Sequence, residues 1–270
     1  MKTRIVSSLI MLPFIALVFI GGTPLFVSMA IVSFVALHEF YNGFENMGVH
    51  PFKFVGYACT LILFGIVAMH LFGGLEEYKF AEGMLFWVAI TTFSGLCLSL
   101  FTKDTNNIQD SLATIIGVMY IPFFYVHISL IDQLPENSIM VWMVFLTAFM
   151  TDIFAYFSGV FLGKTKLIPH ISPKKTVEGS IGGIIGSTCI CAVVASFVAP
   201  QHLLYCLAMG FFGSFVAQCG DLVASAFKRK MGIKDYGNLI PGHGGILDRF
   251  DSVLMTAPFV YYFVVLFINR

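Results

Sequence analysis

The chain is poor in charge, and its cysteines are not placed to brace a fold or hold a metal. Only 11% of its 270 residues are Asp, Glu, Lys or Arg, where a soluble domain carries about 25%. Fifteen bases balance fifteen acids, so the electrostatic footprint that nucleic acid would require is missing. The six cysteines (Cys59, Cys97, Cys189, Cys191, Cys206 and Cys219) lie in apolar runs, with no Cys-x-x-Cys pair and no Cys/His cluster at zinc spacing. That pattern argues against a disulfide framework and a structural metal. The thiols read as small hydrophobes.

What is abundant is apolar surface. Hydrophobic residues make up 58% of the chain and the mean hydropathy is +0.88. Seven stretches of 15 to 42 residues contain no charge at all. Together these exclude a soluble core and a disordered chain, and predict an all-α polytopic integral membrane protein. One crossing takes about 20 apolar residues, which gives spans near 5–20, 24–37, 54–72, 83–101, 111–131, 139–161, 180–199, 203–227 and 252–268. Gly21-Gly22-Thr23-Pro24 breaks the first run and Pro200-Gln201-His202 breaks the long 179–220 run. Lys2 and Arg4 ahead of an apolar run imitate a secretory signal, but no convincing small-x-small cleavage site follows, so this segment counts as the first span.

Nine transmembrane helices put the termini on opposite sides. With the N-terminus cytoplasmic and the C-terminus outside, 13 of the 15 bases fall in inside segments, and only Lys79 and Arg270 fall outside. This matches the positive-inside rule and sets the orientation expected here. The predicted organisation is a scaffold of about five spans over 1–138 and a catalytic transmembrane region over 139–270. The latter carries two polar cytoplasmic loops, 164–178 and 228–251.

Near those loops lie acids placed within or at the ends of apolar helices. A carboxylate in a span is expensive unless paired, hydrated or coordinated, so it points to function by default. The plain alternative is a polar helix–helix contact or an acid at headgroup level. Asp152, Tyr156, Gly159 and Gly163 fall on one helical stripe that runs into Lys164, and Asp221, Ser225 and Lys228 repeat the same spacing. Asp248 and Asp251 are three apart at the mouth of the last span, where favourable interaction with the helix dipole is the plain reading. With Asp221 added, three carboxylates stand beside Arg229, Lys234, Asp235, His243, Arg249 and a Gly244-Gly245 turn. Hard oxygen ligands, bases and glycine N–H groups together suit a polyphosphate carried on Mg²⁺. In the other loop, Lys174 and Lys175 read equally well as membrane anchors and as phosphate ligands. Gly182, Gly183 and Gly186 beyond them read as small-residue helix packing.

The segment from Ser225 through Lys228-Arg229, Lys234-Asp235 and Pro241-Gly242-His243-Gly244-Gly245 to Asp248-Arg249-Phe250-Asp251, 27 positions long, resembles the hallmark of the phosphatidate cytidylyltransferases, or CDP-diacylglycerol synthases. Asp152 to Gly159 with Gly163-Lys164, and Ser172 to Gly179, are similar to further segments of that family. The resemblance covers 140–270 well, and the first half agrees only in being hydrophobic. One position departs: where the family usually carries Glu before the Ser, this chain has Ala224.

The resemblance implies condensation of CTP with phosphatidate to CDP-diacylglycerol and pyrophosphate, dependent on Mg²⁺, at the cytoplasmic side of the plasma membrane. It implies Asp221 and Asp248 as the main cation ligands, Asp251 as a third, and Asp152 near a second cation or a substrate hydroxyl. It also brings K⁺ into consideration as a paired cation, and a homodimer. Lys174, Lys175, Lys228, Arg229, Lys234 and Arg249 are then candidates for the phosphates, with Tyr156, Lys164, Ser225, Asp235, His243, Gly244 and Gly245 around the substrates. Two rivals have less support. A CDP-alcohol phosphotransferase would show Gly-x-x-x-Asp-x-x-x-Asp, which is absent here, and a secondary transporter using Asp152 and Asp221 as ion sites would show internal symmetry.

Overall fold

Gly21 and Gly22 both take positive φ, 63° and 56°, a conformation that side-chain-bearing residues rarely adopt. They make the break expected in the first apolar run. The computed structural model describes residues 15–101, 107–134, 139–239 and 244–269. Among these, eight helices are long and apolar enough to cross a membrane. In chain order they coincide with eight of the nine predicted spans. The remaining span, 5–20, falls mostly outside the described residues, with 15–20 helical. The chain is a multi-pass membrane protein.

It divides into two units, 1–133 with 230–249, and 134–229 with 250–270. The segment 230–249 counts with the first unit.

In the first unit, α1 (Gly22–Glu45), α2 (Lys53–Leu71) and α3 (Glu77–Leu98) are followed by α4 (Asn107–Tyr120) and α5 (Pro122–Asp132). The single span Ile108–Asp132 is built of these two helices in succession, because Pro122 has no N–H to continue the ladder and starts a new helix at its first position. Asp132 at the far end accepts the Gly22 N–H and so satisfies a donor at the start of α1. Trp87, fully buried, donates its indole N–H to the Cys59 carbonyl at 2.8 Å and stacks on Phe123 at 5.6 Å. Tyr41, also buried, donates to the Thr114 carbonyl at 2.8 Å. The α1–α2 turn is pinned by Asp110 and Thr114, which accept the His50 and Phe52 N–H groups, each at 2.7 Å.

Met231, Tyr236, Gly237 and residues 245–247 lie against the end of α1. Met231 fits beside Gly43, and the Tyr236 ring meets Phe40 at 5.9 Å. Among the described residues, six helices long and apolar enough to cross a membrane lie between Glu45 and Leu247, an even number, as placing the two at one membrane face requires.

In the second unit, α6 (Ile139–Leu162) leads into an antiparallel hairpin of β1 (Lys166–Ile168) and β2 (Ser172–Thr176), then α7 (Val177–Val198), α8 (Leu203–Lys230) and α9 (Leu247–Phe263). The hairpin lies within the segment expected as a loop, 164–178, and adds two short strands to an otherwise helical chain. Two side chains close it: Thr176 accepts the Gly179 N–H at 3.0 Å as the cap of α7, and Glu178 accepts the Lys164 and Thr165 N–H groups at 3.1 Å. Helices α6 and α7 pack through the expected glycines. A Cβ on Gly183 would meet the Thr151 carbonyl at 2.9 Å, and one on Gly186 would enter the Phe154 ring. Phe250 leaves helical geometry (φ −122°, ψ 17°), kinking α9 where the two units divide.

Candidate active site

The second unit gathers three of the predicted acids. Asp152 comes from α6, Asp221 from α8 and Asp251 from α9. Their charges act on one another, Asp221 on both Asp152 and Asp251. Each is met by a partner. Lys175 of β2 forms an ion pair with Asp221. Lys228 lies 3.8 Å from Asp251 across a nearly enclosed contact, the residues being 9% and 8% exposed. Ser252 donates to Asp152 at 3.0 Å, and Ser225 to Asp221 at 3.4 Å. The i, i+4, i+7 stripe of Asp221, Ser225 and Lys228 therefore faces the other acids, as helical periodicity requires.

Beside them opens a cavity of about 340 Å³ lined by Asp152, Tyr156, Lys174, Lys175, Gln218 and Asp221 among others. Gln218 is held by Ser180, which donates to its amide oxygen and accepts from its nitrogen through the backbone carbonyl at 3.3 Å. Tyr156 is 67% exposed and stands at the rim. Lys174 is exposed and reaches the cavity wall, whereas Lys164 is exposed and is not among the lining residues. Arg229 donates from Nε to the Ile171 carbonyl at 3.2 Å, which steadies the hairpin turn. Ala224, at the position where an acid was expected, is fully buried.

In the first unit, the loop before α9 is organised by two carboxylates. Asp248 Oδ2 accepts the Tyr236 N–H at 2.7 Å and the Gly245 N–H at 3.0 Å. Glu39, near the end of α1 and 7% exposed, accepts the Ile246 N–H at 3.0 Å and the Leu247 N–H at 2.9 Å. Gly244 takes φ 86°, and a Cβ there would also press on Asp248. The N–H of Gly245, expected to approach a phosphate, is thus taken by a carboxylate of the protein. Lys234 and Asp235 are exposed, and Arg249 is partly buried. His243 lies outside the described residues.

Sequence reasoning missed Glu39, Gln218, Ser180 and Ser252. Glu39 carried the same signal as Asp152, an acid at the end of an apolar run, but the span was ended before it at residue 37. Gln218 is the one amide inside the 203–227 run.

Among the described residues, no three His, Cys, Asp or Glu side chains form a ready metal cage. The donor set still suits Mg²⁺, which keeps several waters and is held through one or two carboxylates plus substrate phosphates. Three interacting acids face two lysines, Lys175 and Lys228. A net negative site of hard oxygens is what such an ion requires.

The cytidylyltransferase family model matches residues 2–267. The chain is 36% identical to the phosphatidate cytidylyltransferase of Bacillus subtilis (strain 168) over 279 aligned residues, covering 99% of this chain and 98% of that protein. It is 32% identical to the enzyme of the same name from Staphylococcus saprophyticus over 260 residues, and 33% identical to that of Staphylococcus haemolyticus over 262, each covering 96% of both chains.

Proposed function

From the cytidylyltransferase family, to which this chain belongs, we infer that it condenses CTP with phosphatidate to give CDP-diacylglycerol and pyrophosphate. It is a membrane-bound nucleotidyltransferase of phospholipid synthesis. The transporter and phosphotransferase readings fall away with that membership.

The observation that carries the assignment to a place in the molecule is the Asp152–Asp221–Asp251 cluster with its two lysines, beside the cavity of the second unit. The nucleophile is the phosphate monoester of phosphatidate, anionic near neutral pH, so the site has no need of a strong general base. What it must supply is in-line positioning and charge compensation at the leaving pyrophosphate. Asp221, Asp251 and Asp152 would hold Mg²⁺, and the ion would neutralise phosphate charge. A second cation, K⁺ included, belongs to the same proposal. Lys175 and Lys228 are the nearest bases to the acids, and each can turn from a carboxylate to a phosphate by rotating its own side chain. Lys174 and Arg229 add positive charge at the hairpin. Tyr156 at the rim marks the side from which the lipid reaches the cavity.

In the first unit we assign Asp248 primarily to the loop, because two backbone N–H groups already occupy its Oδ2. Lys234, Asp235 and Arg249 ride on that loop as candidates for the nucleotide. The site faces the cytoplasm of the plasma membrane, with the N-terminus inside and the C-terminus outside, as the distribution of bases supports. A homodimer completes the proposal, and cross-linking in native membranes tests it.

The deciding experiment is turnover of radiolabelled CTP with phosphatidate by the purified protein in detergent. Asp221→Asn should lower kcat by about a thousandfold or more, as loss of a cation ligand does, since about 4 kcal/mol of transition-state stabilisation goes with it. Near-normal kcat in that variant would overturn the cation assignment. A C-terminal reporter that faces the cytoplasm would overturn the orientation.

A further inference from the structure

The Glu39 carboxylate is buried, belongs to the first described span, and spends both oxygens on a loop about 200 residues away in the chain: Oε1 accepts the Ile246 N–H and Oε2 the Leu247 N–H. Two glycines make room for it. A Cβ on Gly237 would meet Oε1 at 2.6 Å, and one on Gly245 would collide with both oxygens. Gly245 does not have positive φ, so its backbone would tolerate a side chain and the obstacle is the carboxylate itself. The N–H groups at the start of a helix are its unsatisfied donors and its positive end. Here a distant acid caps them. Asp248 takes the neighbouring Tyr236 and Gly245 N–H groups, so two carboxylates hold three successive backbone donors, 245 to 247.

We propose that Glu39 is a positioning residue for the reaction: it latches Ile246 and Leu247, at the start of α9, to α1 and so fixes where Lys234, Asp235 and Arg249 are presented to the nucleotide. This rests on the assignment of that loop to CTP under Proposed function. The latch gives the first unit a task beyond scaffolding. It also explains the two glycines without assigning either to a phosphate.

The test has two readouts on the full-length protein in detergent. Amide hydrogen exchange reads the latch directly, with no reaction involved. Glu39→Gln keeps the shape but replaces one acceptor by a donor, so exchange at Ile246 and Leu247 should accelerate about tenfold or more, the worth of one charge-assisted hydrogen bond. Exchange around Trp87 should stay as in the wild type. Steady-state kinetics read the consequence: KM for CTP should rise about tenfold while KM for phosphatidate stays within about twofold, because only the nucleotide side is displaced. Gly245→Ala attacks the same contact from the other side and should give the same split. Added to Glu39→Gln it should cost less than it does alone, as coupled neighbours do.

Unchanged exchange in both variants would overturn the latch. Faster exchange with both KM values unaltered, or with both altered equally, would overturn the positioning role. A wild type that fails to turn over CTP would sink the reading of the reaction, while the exchange result would still decide the latch.

Discussion

Removing Lys228 should unbalance the cluster in a way that can be measured and then reversed. Its ammonium lies 3.8 Å from Asp251 Oδ2, with side chains 11% and 12% exposed. Asp251 is in turn repelled by Asp221 and Asp152. In Lys228→Met the side-chain length survives and the charge does not. Asp251 then loses the lysine of its ion pair, and breaking a buried pair on one side costs about 3–5 kcal/mol. Against a total stability of about 5–15 kcal/mol this is a large fraction, so the thermal unfolding midpoint in detergent should fall clearly. Lys228→Met with Asp251→Asn removes both charges and should recover most of the loss, because the uncompensated carboxylate is gone. Turnover should not recover, since the double variant lacks an acid assigned to the cation and a base assigned to phosphate. Added Mg²⁺ should stabilise Lys228→Met more than the wild type, because an ion bound only by the folded state raises its stability by mass action. An unchanged midpoint in the single variant would refute the buried pair. Wild-type turnover in the double variant would make the pair structural and remove it from the mechanism.

Two further outcomes follow from particular contacts. Asp248→Asn keeps a side-chain oxygen for the Tyr236 and Gly245 N–H groups, whereas Asp248→Ala leaves both without that acceptor, so Ala should loosen the loop by about 1–3 kcal/mol more than Asn; equal and complete loss of turnover in both, with unchanged amide exchange at Gly245, would return Asp248 to the cation. Gly183→Val should destabilise the α6–α7 pair by about 1–3 kcal/mol through overpacking, read as a lowered unfolding midpoint, because its Cβ would meet the Thr151 carbonyl at 2.9 Å.

Much of this was legible in the sequence because membrane helices are specified by composition and length. Eight spans fall where charge-free runs and the Gly-Gly and Pro breaks put them. The cluster was legible for a related reason. Acids in apolar helices are rare enough to stand out, and the spacing of Asp221, Ser225 and Lys228 puts them on one face without tertiary knowledge. What stayed hidden depends on partners distant in the chain. Nothing near Glu39 announces Ile246 and Leu247. Nor can the sequence show that the Gly245 N–H is met by the Asp248 carboxylate. The hairpin at 166–176 escaped because basic residues at a membrane face look alike in a loop and in a strand. Pro122 was passed over inside an apolar run, although its missing N–H is the reason α4 and α5 are separate helices.

The two carboxylate groupings differ in chemistry as well as position. Glu39 and Asp248 each accept two backbone N–H groups, donors that cannot move without rearranging the loop. Asp221 is met instead by Lys175 and the Ser225 hydroxyl, Asp152 by the Ser252 hydroxyl, and Asp251 by Lys228 beside the fixed Ser252 N–H, so each has at least one partner that can rotate away. Acids held by fixed donors shape the backbone, and acids held by mobile donors can exchange them. A hydrated cation arriving with a triphosphate brings positive charge for the acids and negative charge for the lysines, so both halves of each ion pair find a new partner and neither is left buried and uncompensated. The ion pairs of the second unit are therefore suited to being traded, and the backbone hydrogen bonds of Glu39 and Asp248 to staying put. Substitutions at Lys175 and Lys228 should accordingly act on turnover, and substitutions at Glu39 on the geometry of the loop.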